Sequence, residues 1–289
     1  MISSKDLKIT TLVENTAGAG NLMAEWGLSV LIEAGERSIL LDTGAGLGNA
    51  LLHNARLLRA DLDSLDTIVL SHAHYDHTGG LRQLLSSLKQ KEIPVVAHPH
   101  VWDLKYSRNK KTGKYTYSGI PFRREELERQ GARFELSAGP TWLTEDIAVS
   151  GEEPQTTAFE KVAEGFFVKT ESGYEPDPFP DDQSVYIRTE LGLVILLGCA
   201  HRGMVNIIRH AQKLMGEDKI HMVLGGTHLG PADDKQAEET IRALKEMDFD
   251  WMGVSHCTGL PVAARLSEAF GGRFFFNNAG RRIRFPFSP

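Results

Sequence analysis

The 289-residue chain has only two cysteines, Cys199 and Cys257, which are too few for a disulfide framework. It has no excess of basic residues, and its formal net charge of −6 argues against a general nucleic-acid partner. Its longest apolar run, around 193–197, is far shorter than the roughly 20 residues that span a bilayer. The N-terminal residues contain no apolar segment typical of a signal peptide. We therefore expect a cytoplasmic protein with no membrane or nucleic-acid partner.

The residues that are present predict a globular α+β protein. Apolar residues make up 41% and charged residues 24% of the chain, which is enough for a large buried core. The first 45 residues are typical of strands, and the region after Ser184 alternates apolar strands with helices. This order favours a mixed β-sandwich with helices packed outside. The periodicity of apolar residues is weak at about 102–180. We therefore expect a single domain over 1–289 with an insertion at about 102–180.

Three histidines and an aspartate, His72, His74, Asp76 and His77, lie within six residues, directly after the short apolar strand 67–70. Neutral imidazole and carboxylate can hold zinc, iron or manganese and leave a coordination position open. Residues two apart in an extended segment point the same way, so His72 and His74 can hold one ion. Burying such groups without partners would be unfavourable, which argues against simple packing. The pattern predicts a metal site, with a solvated polar turn as the alternative.

The same segment carries a family resemblance. His72 to His77, followed by Thr78-Gly79-Gly80, resembles the H-x-H-x-D-H signature of the metallo-β-lactamase superfamily. Leu40 to Gly44 is similar to the preceding motif, whose aspartate braces the metal loop. Further motifs, at 182–184, 198–201 and 225–229, are similar to the branch of dihydropterin-ribofuranosyl-aminobenzene-phosphate synthase-like proteins. The resemblance covers essentially the whole chain and implies an αββα sandwich of four layers with a loop-rich insertion.

The resemblance also implies one or two metal ions, with zinc favoured and iron or manganese as alternatives. One ion would be held by His72, His74 and His201, and the other by Asp76, His77 and His256. The residues expected to support these ligands are Asp42, Cys199 and Thr258. Many relatives carry a bridging aspartate where this chain has Gly198-Cys199-Ala200, so Cys199 or His201 stands nearest to that place. A lone cysteine is more often a small buried residue than a ligand, and we expect Cys199 to be one.

These residues imply a metal-dependent enzyme. The main hypothesis is a hydrolase in which a metal-bound hydroxide attacks a small phosphoester, lactone or thioester. Asp76 and His228 are the expected catalytic residues, the first orienting the nucleophile and the second facing the substrate. The alternative is a pterin-type transferase that condenses a dihydropterin-methyl diphosphate with a phosphorylated ribofuranosyl-aminobenzene. Basic and aromatic residues at 102–124 can hold a small anionic substrate with a planar ring, with a solvated basic loop as the alternative. A redox or binding role is disfavoured, because the flavin-linked relatives generally carry a carboxylate where His74 stands.

Overall fold

The structure, a computed structural model, describes residues 1–288. Its helices in this range are α1 Ala50–Leu57, α2 Tyr75–Thr78, α3 Leu81–Ser87, α4 Arg124–Arg129, α5 Met204–Met215, α6 Asp234–Lys245 and α7 Leu260–Phe270. Its strands in the same range are β1 Leu7–Val13, β2 Ser29–Ala34, β3 Arg37–Leu41, β4 Thr67–Val69, β5 Ile93–Ala97, β6 Lys105–Arg108, β7 Tyr115–Tyr117, β8 Ala132–Leu136, β9 Thr141–Thr144, β10 Ile147–Val149, β11 Phe166–Thr170, β12 Gly173–Pro176, β13 Val185–Thr189, β14 Gly192–Leu197, β15 Ile220–Gly226, β16 Phe249–Ser255, β17 Phe274–Phe276 and β18 Arg282–Arg284.

Two seven-stranded sheets form the centre of the fold. The first has the order β18-β1-β2-β3-β4-β5-β8, and the second has the order β17-β16-β15-β14-β13-β10-β9. β2 and β3 form an antiparallel hairpin. β3 runs parallel to β4, and β14, β15 and β16 run parallel to one another. Parallel neighbours bring their carboxyl ends to one edge of a sheet, where the loops that follow them meet.

The two sheets pack face to face because alternate residues of a strand point to the same face, and the facing surfaces of both sheets are apolar. Ile39 and Leu41 of β3 share one buried core with Val194 and Leu196 of β14. Leu40, between the two β3 residues, points the other way and joins the core beneath α1, α3 and α4. The opposite face of the second sheet is covered by α5, α6 and α7. The layers therefore follow the order helices, sheet, sheet, helices, which confirms the predicted αββα sandwich.

A third, four-stranded sheet with the order β12-β11-β6-β7 comes from the stretch predicted as an insertion. Three other strands of that stretch, β8, β9 and β10, belong to the two large sheets. The insertion is therefore two separate chain segments that meet in one small sheet. Their short strands lack the long apolar alternation by which strands are recognised in a sequence. Among the described residues, no helix is long and apolar enough to cross a membrane.

Candidate metal centre

The candidate site lies at the edge where strands of both large sheets end. Four non-glycine residues near these ends have φ in the left-handed region: Asp42 at 59°, Ala200 at 55°, His228 at 47° and His256 at 52°. Such conformations each cost about 1–3 kcal/mol and persist where the surrounding structure holds them. Asp42 and His256 directly follow β3 and β16, and the other two follow within three residues. Strained turns at this one edge direct several polar side chains into a common space.

The first group of converging side chains is His72, His74 and His201, all of them buried. The Nε2 atom of His72 lies 3.1 Å from Nδ1 of His74 and 3.3 Å from Nε2 of His201. Burial lowers the pKa of all three imidazoles, to about 4 for His74. These histidines are therefore neutral near pH 7, which is the form that binds metal ions.

The second group is Asp76, His77 and His256. Nε2 of His256 lies 3.3 Å from Nε2 of His77 and 3.3 Å from Oδ2 of Asp76. Burial works against the charged form of Asp76, yet the hydrogen bond from His256 and the neighbouring histidines hold its pKa below the usual range. Burial also works against a charged His77, but Asp42 outweighs it and raises the pKa of His77 to about 9. This group therefore combines an ionised carboxylate with nitrogen ligands.

Asp42 is hydrogen-bonded to the loop that carries the clustered histidines. Its Oδ2 atom accepts a hydrogen bond from Nδ1 of His77 at 2.6 Å and one from the Ser71 hydroxyl at 2.6 Å. Its Oδ1 atom accepts the backbone N–H of Ser71 at 2.7 Å. The same hydroxyl lies 2.9 Å from Nδ1 of His72. Because these bonds engage the outer nitrogens, the Nε2 atoms of His72 and His77 face the interior of the site.

Glu14 and Asn15, which the sequence analysis does not single out, hold His256 in a similar way. Oδ1 of Asn15 lies 2.9 Å from Nδ1 of His256 and accepts a hydrogen bond from it. Oε1 of Glu14 accepts the backbone N–H of His256 at 2.7 Å. Both residues directly follow β1, on the sheet opposite to His256. Nothing in the local sequence around Glu14 indicates this role, because the contact joins residues about 240 positions apart.

The other predicted residues lie in or beside the two groups. Sγ of Cys199 is 3.1 Å from Nε2 of His77, closer than a merely supporting residue needs to be. Thr258 supports the turns after β15 and β16, since its hydroxyl donates to the Ser255 carbonyl and accepts from the backbone N–H of Thr227. The ring of His228 lies 4.0 Å from that of His201 between centroids. Within residues 1–288 neither ring nitrogen of His228 has a hydrogen-bond partner.

A cavity of about 780 Å³ opens beside the second group. His228 and His256 lie on its wall, together with the aromatic rings of Trp26, Phe166 and Phe276. Its polar groups include the side chains of Glu14, Asn15 and Asn278. Volume and lining are typical of a pocket for a small organic molecule with a planar ring.

The small sheet covers the first group of histidines. The ring of Phe166, in β11, lies 5.1 Å from that of His74, 5.6 Å from that of His201 and 5.7 Å from that of His228. Phe179 stacks on His201 at 3.8 Å with an angle of 10° between the rings. From the sequence, both phenylalanines are predicted only to lie in the insertion. They exclude water from the histidines and restrict how these can turn.

A buried ion-pair network ties this cover to the metal loop. Nζ of Lys105, in β6, lies 2.7 Å from Oδ1 of Asp181 and 2.8 Å from Oδ2 of Asp177. Oδ2 of Asp181 in turn accepts the backbone N–H of Ala73 at 2.9 Å, between two of the predicted ligands. Burial works against the charged lysine, but the two aspartates outweigh it and raise the pKa of Lys105. Lys105 therefore couples the small sheet to the histidine loop.

Comparison with known proteins now identifies the family. A family model described as the metallo-beta-lactamase superfamily matches residues 27–208. The 7,8-dihydropterin-6-methyl-4-(beta-D-ribofuranosyl)-aminobenzene-5'-phosphate synthase of Methanocaldococcus jannaschii is 34% identical, over 97% of this chain and 97% of its own. The chain belongs to the metallo-β-lactamase superfamily. The predicted resemblance is confirmed, including its similarity to the synthase branch.

Two further relatives of this superfamily member cover nearly the whole chain. An uncharacterized protein of the same archaeon is 31% identical over 95% of this chain and 99% of its own. A crystal structure of a metal-dependent hydrolase of the beta-lactamase superfamily superposes with a TM-score of 0.81 at 29% identity. The superposition covers 98% of this chain and 100% of that one. The fold of this protein is therefore shared over its full length by other members of the superfamily.

The superfamily implies divalent metal ions, and the two groups of side chains fit them. Nitrogen atoms of His72, His74 and His201 face one another at 3.1–3.3 Å. Only one proton can lie between two such nitrogens, so neutral imidazoles leave lone pairs pointing into the same space. A cation satisfies these lone pairs together, and histidine with carboxylate is a ligand set for zinc, iron or manganese. The clusters can thus hold a metal ion.

Proposed function

We propose that this protein is a metal-dependent transferase that joins a dihydropterin-methyl diphosphate to a phosphorylated ribofuranosyl-aminobenzene. The observation that carries this proposal is the 34% identity to the archaeal synthase over 97% of both chains. A likeness of that extent includes the histidine loop, the cavity and both segments of the small sheet. The motifs alone favour a hydrolase, whereas this relative supports the transferase.

We propose the six predicted ligands in two sets: His72, His74 and His201 for one ion, and Asp76, His77 and His256 for the other. Zinc suits the neutral imidazoles, and iron or manganese are the alternatives. When bound, the ions supply positive charge that stabilises a departing diphosphate. Asp42, through its bonds to His77 and Ser71, keeps the loop in the orientation that the ions need.

Side chains in and beside the cavity bind the rings of the substrates, contact the leaving diphosphate and orient the amine. Trp26 and Phe166 offer aromatic faces to a planar pterin or benzene ring. His228, whose ring nitrogens are free in the described structure, donates a hydrogen bond to the leaving diphosphate. The aromatic amine forms a C–N bond to the methylene carbon as the C–O bond to diphosphate breaks, and the amine loses one proton. Asp76, an ionised carboxylate that contacts His256, orients the amine, and the proton passes to solvent.

Hydrolysis is the second candidate, because the superposed crystal structure at 29% identity is of a metal-dependent hydrolase. In this case a water molecule takes the place of the amine, and a phosphoester, lactone or thioester takes the place of the pterin diphosphate. Asp76 and His228 keep the same tasks, the first orienting the nucleophile and the second donating a hydrogen bond to the leaving group. The two candidates therefore differ in what enters the cavity next to the metal groups.

The decisive experiment supplies zinc- or manganese-loaded protein with both transferase substrates and follows the products by mass spectrometry. We expect the condensed product and one diphosphate per turnover. The His228→Ala variant should lose this activity, whereas His100→Ala, a change at an exposed histidine next to β5, should keep it. Diphosphate release without condensation would instead support hydrolysis. No reaction of the metal-loaded protein with these substrates would overturn the transferase proposal.

A further inference from the structure

The two cysteines of the chain meet at the metal centre. Cys199 follows β14 and Cys257 follows β16, 58 positions later, and both are buried and free. Their Sγ atoms lie within 4.8 Å of each other and of a ring nitrogen of His228. Cys199 also groups with His72 and His77, one residue from each set of proposed ligands. Both thiols of the chain therefore lie beside the histidine groups.

The sulfur of Cys257 has a hydrogen-bond donor and a glycine as neighbours. Its Sγ atom accepts the backbone N–H of His228 at 3.3 Å, a contact that stabilises negative charge on sulfur. Gly226, at the end of β15, lies between the two cysteines. A Cβ atom at residue 226 would come within 2.8 Å of Cys257 Sγ and 3.3 Å of Cys199 Cα. The absence of a side chain there leaves room for the Cys257 sulfur beside the backbone of Cys199.

From this geometry we propose that Cys199 and Cys257 are thiolate ligands of the metal centre, next to His77. A zinc–sulfur bond is about 2.3 Å long, so one ion can bridge two sulfurs about 4.6 Å apart, close to the 4.8 Å within which the Sγ atoms of Cys199 and Cys257 lie. Each thiol loses one proton to solvent as its sulfur–metal bond forms, and no electron is transferred. Sulfur ligands favour zinc or cadmium over manganese and magnesium. The proposal does not depend on whether the site transfers a pterin or hydrolyses an ester.

X-ray absorption spectroscopy of reduced, zinc-loaded protein tests this directly. We expect a sulfur shell at about 2.3 Å in addition to nitrogen at about 2.0–2.1 Å. The shell should be halved in Cys257→Ser and absent in the variant with both cysteines replaced by serine. Cys257→Ala serves as a second variant should serine disturb the fold. A wild-type shell of nitrogen and oxygen alone, or a sulfur shell that persists when both cysteines are replaced, would overturn the proposal.

Metal selectivity gives an independent readout that needs no substrate. The affinity for cadmium should fall more than the affinity for zinc when either cysteine is replaced, because cadmium depends more on sulfur. Ser64→Ala, a change at an exposed position between α1 and β4, is the control and should leave the ratio unchanged. An equal loss of both affinities in the cysteine variants would show that the thiols only pack, and would contradict the proposal.

Discussion

The histidines of the site differ in the hydrogen-bond partner of the ring nitrogen that points away from the metal centre. Asp42 engages His77 and Asn15 engages His256, both through Nδ1. By contrast, Nε2 of His74 and Nδ1 of His201 are buried and have no hydrogen-bond partner in the described part of the chain. Those two rings are held by packing against Phe166 and Phe179. Hydrogen bonds therefore orient the second group, whereas aromatic contacts orient much of the first.

Removing the acceptor behind His256 should weaken metal binding without unfolding the protein. In Asn15→Ala the Nδ1 proton of His256 loses its partner, and we expect an affinity about 10–100-fold lower, the usual effect of such support. Asn15→Asp keeps an acceptor and should restore most of the affinity, whereas Asn21→Ala, at an exposed position, should change nothing. Competition with a chelator measures the metal affinity of all three variants. Full affinity in Asn15→Ala would show that packing alone orients His256.

Replacing His228 or His256 by alanine should affect metal content and turnover differently. His256 belongs to a proposed ligand set, so His256→Ala should lower metal content and turnover together. His228 lines the cavity, so His228→Ala should retain the metal and lose about 10²–10⁴-fold in turnover, the scale of a positioned proton donor. Metal analysis beside the product assay separates the two. Loss of metal in the His228 variant alone would reverse these roles.

Among the secondary-structure elements, the small sheet has the clearest link to the site. Its strand β11 supplies Phe166, and its strand β6 supplies Lys105, which reaches the metal loop through Asp181. A lysine this deeply buried is stable only because two carboxylates face it. The sheet therefore has a fixed position over the histidines.

Lys105→Met should destabilise the protein because it leaves Asp177 and Asp181 buried without a cation. Breaking a buried pair in this way typically lowers the free energy of unfolding by about 3–5 kcal/mol. Lys110→Met, at an exposed position of the same segment, is the matched control and should have little effect. Urea denaturation of both variants measures the difference. Equal stability of the two variants would mean that the network does not hold the sheet.

The sequence predicts elements and local clusters better than it predicts long-range contacts. Strands such as β3 and β14 are apparent because their apolar residues are contiguous, and His72 to His77 are close in sequence. Asn15 and Phe166 cannot be found this way, since each reaches the site only through the folding of distant segments. Cys199 is predicted as a supporting residue, and its short distance to His77 is visible only in the structure.

For the molecule as a whole, the two ends of the chain meet in one sheet. β1 pairs with β18 and β2, so the C-terminal residues complete the sheet that the N-terminal residues begin. We propose on this ground that 1–289 forms a single domain. A site built from both sheets then depends on the complete sandwich, and its protonation depends on groups from both halves.

Metal binding to the second group should release the His77 proton near pH 7, in addition to the protons that Cys199 and Cys257 lose when they bind the metal. The pKa of His77 in the metal-free protein is raised from 6.5 to about 9, so this residue stabilises the metal-free fold below 6.5 and loses that effect as pH rises through 9. The contribution of His77 alone should make metal affinity rise about tenfold per pH unit up to 9. Calorimetry in buffers of different ionisation enthalpy counts the protons. Asp42→Asn should flatten the pH dependence of metal affinity. A metal affinity of the wild type that does not change with pH would contradict the prediction.

The metal content of protein purified without chelators and then offered zinc, iron or manganese tests the central claim most directly. We predict between one and two ions per chain, and the loss of most of that metal in His72→Ala and His74→Ala with the fold retained. Protein that contains no metal after purification and takes up none of the three ions would contradict the account.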